Sequence, residues 1–442
     1  MRKEERLRSP PTKTMTTAAT AALEVKIPVP SFFRCPISLD VMRSPVSLCT
    51  GVTYDRASIQ RWLDSGNTTC PATMQPLPST DLVPNLTLQR LIRLWCSESA
   101  VDPAAVPGSK LSARRLAGRL LKEISVSSDP AAPLRRLAGF FSDDDVDEFE
   151  KNDLINAGGC ISAVQSAMKR KCDDVETLEA SSGVLALVLR SESIEEANKK
   201  TVVTEFSSDL ATLVSCLVKV LSEGTCLESR IDAARILQSV LAASNSDSRS
   251  LISEEPGLIS ELIRLIGPVD EKGTIERSAV RLGVACLAGI CSVRKVRGEM
   301  VQLGVVSAVT RVLVTESDMA VSECALKIME AVAGCAEGRM AMCENGAVAV
   351  KAVACKMMKA GKCGAEAAVA ALWAVCIKCK DRRAVEALAG VEGGLTRLLL
   401  LMQSGCSPVA RQMAGDLIKI FKVNAKNCLA GYESKTTHIM PF

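Results

Sequence analysis

From about residue 110 to 423 the chain repeats itself with a period of about 45 residues, and that period limits what it can fold into more than any other feature. A small or polar residue followed by aliphatics two and five positions on recurs at Gly159 (Ile161, Val164), Ser208 (Leu210, Leu213), Gly257 (Ile259, Leu262), Gly304 (Val306, Val309) and Gly393 (Leu395, Leu398). A weaker copy starts at Gly346 (Val348) and carries Lys351 at the second aliphatic place. The steps are 49, 49, 47, 42 and 47 residues. Ala-rich helices beginning near Ser229, Glu276, Val321, Gly364 and Val409 keep a similar beat, at 47, 45, 43 and 45. A unit this short cannot bury its own apolar face, so neighbours must stack into one continuous core. Ala285, Cys286, Ala288 and Gly289 show how the longer helix of each unit admits close helix approach. With only 3% aromatics, the composition also suits packed helices better than a β-sandwich.

The remaining bulk features mostly exclude. A net charge of +4 over 442 residues gives no reason to expect nucleic acid as a partner. No run of 18 or more apolar residues occurs, so no membrane span is expected. The 19 cysteines are scattered through apolar stretches without paired spacing, which predicts reduced thiols acting as small hydrophobes in a cytoplasmic protein, a nuclear pool being compatible. The sole histidine, His438, lies four residues from the C-terminus, so His-dependent nucleophilic triads and multi-His zinc sites lack their parts. Residues 1–26 are basic and Ser/Thr-rich and read as a disordered arm, residues 99–109 as a linker and residues 424–442 as a polar tail.

Residues 27–98 differ from the array in holding two of the three Trp and many of the Pro. Val46–Cys49 and Val52–Tyr54 predict a hairpin around Thr50-Gly51. Asp55 is expected to cap a helix bearing Ile59, Trp62 and Leu63, with Gly66 past its end. Asn85 is expected to cap a second helix whose face is Leu88, Leu91, Ile92 and Trp95. Two loops, Cys35-Pro36-Ile37 and Cys70-Pro71, flank the first helix. Cys35, Cys49, Cys70 and Cys96 lie 14, 21 and 26 residues apart, with no C-x2-C pair, so they are read as core filler and not as zinc ligands.

The order Ile27-Pro28, Phe33-Arg34-Cys35-Pro36-Ile37, Met42, Pro45-Val46, Gly51, Thr53-Tyr54-Asp55-Arg56, Ile59, Trp62-Leu63, Gly66-Asn67, Cys70-Pro71, Leu77 and Val83-Pro84-Asn85 resembles the U-box domain over the whole module. The array resembles armadillo repeats, and the two together are the layout of a large family of plant U-box ubiquitin ligases. The resemblance implies a mainly α chain: a small ββα-type, metal-free U-box domain over 27–98, then an α-solenoid of armadillo-like repeats over 110–423. It further implies a RING-type ubiquitin-protein ligase without a cofactor and without a catalytic residue of its own. A ubiquitin-charged E2 conjugating enzyme would dock on Ile37 and Leu39 of the first loop, Trp62 of the helix and Pro71 of the second loop. For Trp62 the residue pattern alone leaves a core position open, since it shares a face with Ile59. A substrate protein would bind the repeats, and a homodimer is a further expectation of the resemblance.

Two positions depart from the family pattern. Ser44 stands where many U-boxes carry Asp, and Met74 stands where several carry an Arg bridging conjugating enzyme and ubiquitin. These departures motivate the rival reading, a non-catalytic adaptor. A nuclear-transport groove is disfavoured, because the Asn and Trp ladder places hold Gln238, Gly289, Glu330 and Trp373. Cys376 and Cys379 are read as core packing, the acidic run Asp143–Glu148 as a solvated helix start, and Lys378, Lys380, Arg382 and Arg383 as helix C-terminal cations.

Overall fold

The computed structural model describes residues 29–98, 111–143, 146, 148–157, 159–268, 275–344 and 347–430. The expected arm and linker, Asp144, Asp145, Asp147, Gly346 and His438 lie outside them. The chain divides into two compact units between residues 109 and 110.

In the first unit, strands β1 (Pro45–Ser47), β2 (Thr53–Asp55) and β3 (Val83–Pro84) form an antiparallel sheet in the order β2-β1-β3. Val46 pairs with Tyr54 on one side and Pro84 on the other. Gly51 supplies the left-handed residue (φ 79°) that turns the predicted hairpin. Helix α1 (Arg56–Asp64) stops at Gly66 (φ 84°), and α2 (Leu86–Glu98) is capped as expected, Asn85 Oδ1 accepting from Leu88 N–H at 3.1 Å. The core joins Phe33, Cys35, Met42, Val46, Leu48, Tyr54, Ile59, Cys70 and Ile92, with Trp62, Leu63, Leu88 and Trp95 half-buried around it. Two expectations need correction. Leu91 is 47% exposed and leaves the apolar face of α2 to the other three residues. Asp55 stands at the N-cap of α1 but does not cap it. Its Oδ1 accepts from Arg43 N–H (2.8 Å) and Ser44 N–H (2.9 Å), tying the preceding loop to β2.

The second unit opens with α3 (Leu111–Val126) and α4 (Ala131–Ser142). Triplets follow: α5 (Glu148–Ala157), α6 (Cys160–Arg170), α7 (Val175–Arg190); α8 (Glu196–Ser207), α9 (Leu210–Glu223), α10 (Leu227–Ala243); α11 (Ser246–Ser253), α12 (Leu258–Leu265), α13 (Arg277–Ile290). Three more complete the array: α14 (Arg297–Gln302), α15 (Val305–Thr315), α16 (Met319–Ala333); α17 (Ala336–Cys343), α18 (Val348–Lys356), α19 (Gly361–Trp373); α20 (Arg382–Ala389), α21 (Gly394–Gln403), α22 (Pro408–Ala430). The third helices stack in sequence from α4 through α7, α10, α13, α16 and α19 to α22, burying one core along the array. Helix α22 continues to Ala430, past the residue 423 at which the sequence pattern fades.

Each repeat thus has three helices where the sequence showed two. The Gly starts are left-handed residues that turn the chain into the middle helix: Gly159, Gly257, Gly304 and Gly393, with φ of 58°, 79°, 87° and 66°. In the weaker copy that role falls to Ala347 (φ 53°), one residue later than the pattern placed it. Consequently Ala349 and Ala352 are buried there, while Val348 and Lys351 face solvent. Arginines on the overlooked short helices reach back to the end of the preceding long helix. Arg249 donates to Leu241 O (3.3 Å), Arg297 to Cys291 O (2.8 Å) and Arg339 to Ala333 O (3.0 Å). On the middle helices Arg264 bonds the Leu221 and Ser222 carbonyls of the previous unit (2.8 and 2.9 Å), and Arg170 and Lys356 do the same to Ile124 and Glu316.

Arg382 and Arg383 open α20, the opposite end from the one expected, and are neutralised there by Glu386 and by the capping residue Asp381. Cys376 is buried within a π-helical turn, Ala374–Lys378, but Cys379 is exposed. Among the described residues no single helix is long and apolar enough to cross a membrane.

Candidate functional site

The two loops of the first unit follow the same backbone path. In Cys35-Pro36-Ile37-Ser38-Leu39-Asp40, the Cys35 N–H donates to Asp40 O (2.8 Å) and the Cys35 carbonyl accepts from Leu39 N–H (2.8 Å). In Cys70-Pro71-Ala72-Thr73-Met74-Gln75, the same two bonds join Cys70 to Gln75 (2.9 Å) and Met74 (2.8 Å). Single β-bridges, Arg34 to Val41 and Thr69 to Pro76, close the two bases. The fifth residue of each loop is left-handed, Leu39 at φ 60° and Met74 at φ 58°. That conformation costs a side chain about 1–2 kcal/mol. In return Leu39 and Met74 are thrust outward, 67% and 69% exposed.

Strand β2 holds both loops through their sulfurs. Cys35 Sγ accepts from Asp55 N–H at 3.3 Å, and Cys70 Sγ receives the Thr50 hydroxyl at 3.4 Å and lies 2.9 Å from Tyr54 Oη. Tyr54 Oη also accepts from Ala72 N–H (3.0 Å), which ties the phenol to the second loop at two points. Burial pushes the Cys70 thiol up, but donation from Thr50, Thr73 and Tyr54 outweighs it and holds the group at about 6. Burial likewise opposes, and donation from Ser38, Asp55 and Ile37 reverses, the shift at Cys35, which lies below the ordinary thiol value. Burial, reinforced by Cys70, pushes the Tyr54 phenol up. Cys35 and Cys70, read from sequence as filler, are therefore also acceptors at the two points where the loops need bracing. Cys49 is exposed. Among the described residues no group of three His, Cys, Asp or Glu could hold a metal ion.

Trp62 combines the two readings left open for it. It is half-buried against the core, and its Nε1 donates to Thr69 O (2.8 Å) at the base of the second loop. Asn67 Nδ2 donates back to Trp62 O (3.0 Å), fixing the turn between them. Pro71 is half-buried and Ile37 is 38% exposed. Trp62 is thus fastened to the base of the second loop, while Ile37 and Leu39 are exposed on the first. The parts that sequence reasoning missed are Tyr54 and Thr50, and the visible signal was their place in the hairpin, Thr50 in its turn and Tyr54 on its second strand. Ser44 contacts Asp55 through its backbone amide, a bond that does not depend on its side chain.

In the array, the ladder positions are put to other use. Trp373 Nε1 donates to Asp416 on the next long helix (3.3 Å), and Glu330 is exposed. Glu179 and Glu366 instead accept from Thr225 Oγ1 (3.0 Å) and Ser407 N–H (2.9 Å), at the starts of the following long helices.

Residues 29–100 match the U-box domain family, and residues 119–439 match the family described as the plant U-box protein ARM repeat region. The chain is 36% identical to U-box domain-containing protein 28 of Arabidopsis thaliana over 419 residues, covering 94% of this chain and 98% of that one. It is 35% identical to U-box domain-containing protein 29 of the same plant, covering 95% and 99%. Arabidopsis E3 ubiquitin-protein ligase PUB23 is 26% identical, covering 90% and 94%. With both its braced double loop and its armadillo array matched over nearly full length, the chain belongs to the plant U-box family of E3 ubiquitin ligases.

Proposed function

We propose that the double loop docks a ubiquitin-charged E2 conjugating enzyme while the array holds a substrate protein, so that ubiquitin passes directly from the E2 thioester to a substrate lysine. The observation that carries this is the pair of Ile37 and Leu39, exposed on a hydrogen-bonded loop, with Trp62 fastened to the base of the second loop that bears Pro71. Apolar anchors held on rigid backbone lose little freedom on binding and make effective hot spots. No nucleophile on this chain is required, because holding both reactants on one scaffold raises their effective concentration.

Met74 supports a second reading. Its thioether cannot form the bidentate, charged hydrogen bonds of an Arg at that position, so a docked conjugating enzyme would be held without being activated. An autoubiquitination assay of the full chain against a panel of conjugating enzymes separates the two. Chain formation that is lost in Ile37→Ala is expected of a ligase; docking without discharge by any member of the panel would identify an adaptor.

A further inference from the structure

Between two neighbouring repeats, the start of α11 meets the turn that links α13 to α14. A cleft of about 440 Å3 lies there, lined by Ser246, Arg249 and Ser250 of α11 and by Ser292, Arg294 and Lys295 of the turn. Its lining carries three cations and three hydroxyls, with no carboxylate and no aromatic ring. Like many arginines and lysines of the array, none of these three cations has an ion-pair partner among the described residues.

One of the cations is held in place. Arg249 is half-buried, and its Nε is fixed on Leu241 O (3.3 Å), which leaves its terminal nitrogens for the cleft. The opposite rim is pinned from below by half-buried Val293 and buried Val296, and by Arg297, whose Nε donates to Cys291 O (2.8 Å). Ser292 Oγ donates to Gly289 O (2.7 Å), and Ser250 Oγ donates to Glu254 Oε1 (3.4 Å), outside the lining. Ser246 is exposed at the first turn of α11.

We propose that this cleft binds a phosphoserine or phosphothreonine of a partner protein, which makes phosphorylation the mark by which the array selects its substrate. A phosphoryl group carries about −1.5 to −2 charge and three strong acceptor oxygens, a match for two forked guanidiniums, an ammonium and adjacent hydroxyls. A two-sided cleft of about 440 Å3 admits such a group between its rims. An extended polyanion would need a longer basic track and rings on which bases can stack. A bilayer would need apolar side chains to enter it, and Val293, the aliphatic residue of the cleft, is turned to the core. The inference rests on the array being the substrate-holding part, and its test reads binding separately from ubiquitin transfer.

The test passes a degenerate peptide library with a fixed central phosphoserine, and its unphosphorylated twin, over the immobilised full chain. Phosphoserine-containing and unphosphorylated probes selected from it are then titrated, alongside phosphatidylserine vesicles and single-stranded RNA. Preference for the phosphorylated probe by about tenfold or more is expected, because charge-assisted bonds are the strong ones. Arg294→Glu with Lys295→Glu should abolish that preference without moving the melting temperature, since both side chains are exposed. Equal binding of the two probes would overturn the proposal. So would a preference that survives the double substitution, or tighter binding of vesicles or RNA that the same substitution removes. The double variant should still form ubiquitin chains on itself. If the wild-type chain is inactive in that assay yet binds the phosphorylated probe, the ligase reading falls and the cleft stands.

Discussion

Tyr54→Phe removes one oxygen from a fully buried ring and leaves the ring itself in place. That oxygen accepts from Ala72 N–H at 3.0 Å and lies 2.9 Å from Cys70 Sγ, so the substitution deletes both contacts between β2 and the second loop that pass through the phenol. A net hydrogen bond is worth about 1 kcal/mol, and a buried group left without its partner costs about 1–3 kcal/mol. The Ala72 amide is part-buried and regains some water, which brings the total to about 2 kcal/mol. For a unit of this size the melting point should then fall by about 8–16 °C. Tryptophan fluorescence of the full chain is a suitable probe, because Trp62 and Trp95 belong to this unit and only Trp373 to the array. Hydrogen exchange should localise the loss to residues 70–76, and docking of a conjugating enzyme should weaken although Tyr54 is fully buried. A variant that melts within about 1 °C of wild type, with unchanged exchange in that loop, would falsify the claim that oxygen and sulfur brace it.

Ile37→Ala should weaken conjugating-enzyme binding by more than about tenfold with little change in melting, whereas Trp62→Ala should lose binding and about 2 kcal/mol of stability, since its ring is only half-buried. Titrations and melts on the same proteins decide; equal melting of the two variants would contradict the role given to the Trp62–Thr69 bond. Met74→Arg is expected to speed discharge of the charged conjugating enzyme onto free lysine, and an unchanged single-turnover rate would remove Met74 as the limiting feature. Burial, with Glu228 beside it, pushes the Asp232 carboxyl up to about 6, against the pull of Arg190 and Arg235. A folded value above the unfolded one means that its contribution is full below about pH 4 and is lost as pH rises through 6. Asp232→Asn should therefore be more stable than wild type at pH 8 and less sensitive to pH between 4 and 6 in urea unfolding; a difference independent of pH would count against it.

Periodicity carried most of the array into view. The Gly and aliphatic pattern is legible because it reflects two local demands, a left-handed turn and a buried helix face. It slipped by one residue at Gly346 because Ala347 takes the left-handed turn without being Gly. The short first helices went unseen for a different reason. Several run for only six to eight residues, too few for a period to show, and Arg249, Arg297 and Arg339 serve carbonyls of the preceding helix that no linear pattern can reveal. In the first unit the hairpin and the Asn85 cap follow from turn and cap chemistry. The use of Asp55 does not, because a residue fit to cap its own helix can be claimed by a loop eleven residues away. Nor could spacing show that Leu39 and Met74 occupy equivalent places, since the likeness of the two loops lies in their backbone bonds and only Cys-Pro is shared in sequence.

The two units are held by different physics, and this decides how each responds to change. A structural zinc ion contributes about 10–16 kcal/mol from one centre, whereas each bond made by Cys35 or Cys70 is worth on the order of 1 kcal/mol. The small unit must therefore sum many weak contacts, and consecutive residues of β2 serve both loops, Asp55 through its amide and Tyr54 through its phenol. Loosening that strand loosens both loops together. The array behaves in the opposite way. Its bonds run between adjacent repeats, as from Arg264 to Leu221 or from Trp373 to Asp416, so a lost bond is felt by its neighbours and fades with distance. Surface changes along the array can thus accumulate with local effects, whereas few changes around β2 can be made without loosening both loops of the small unit.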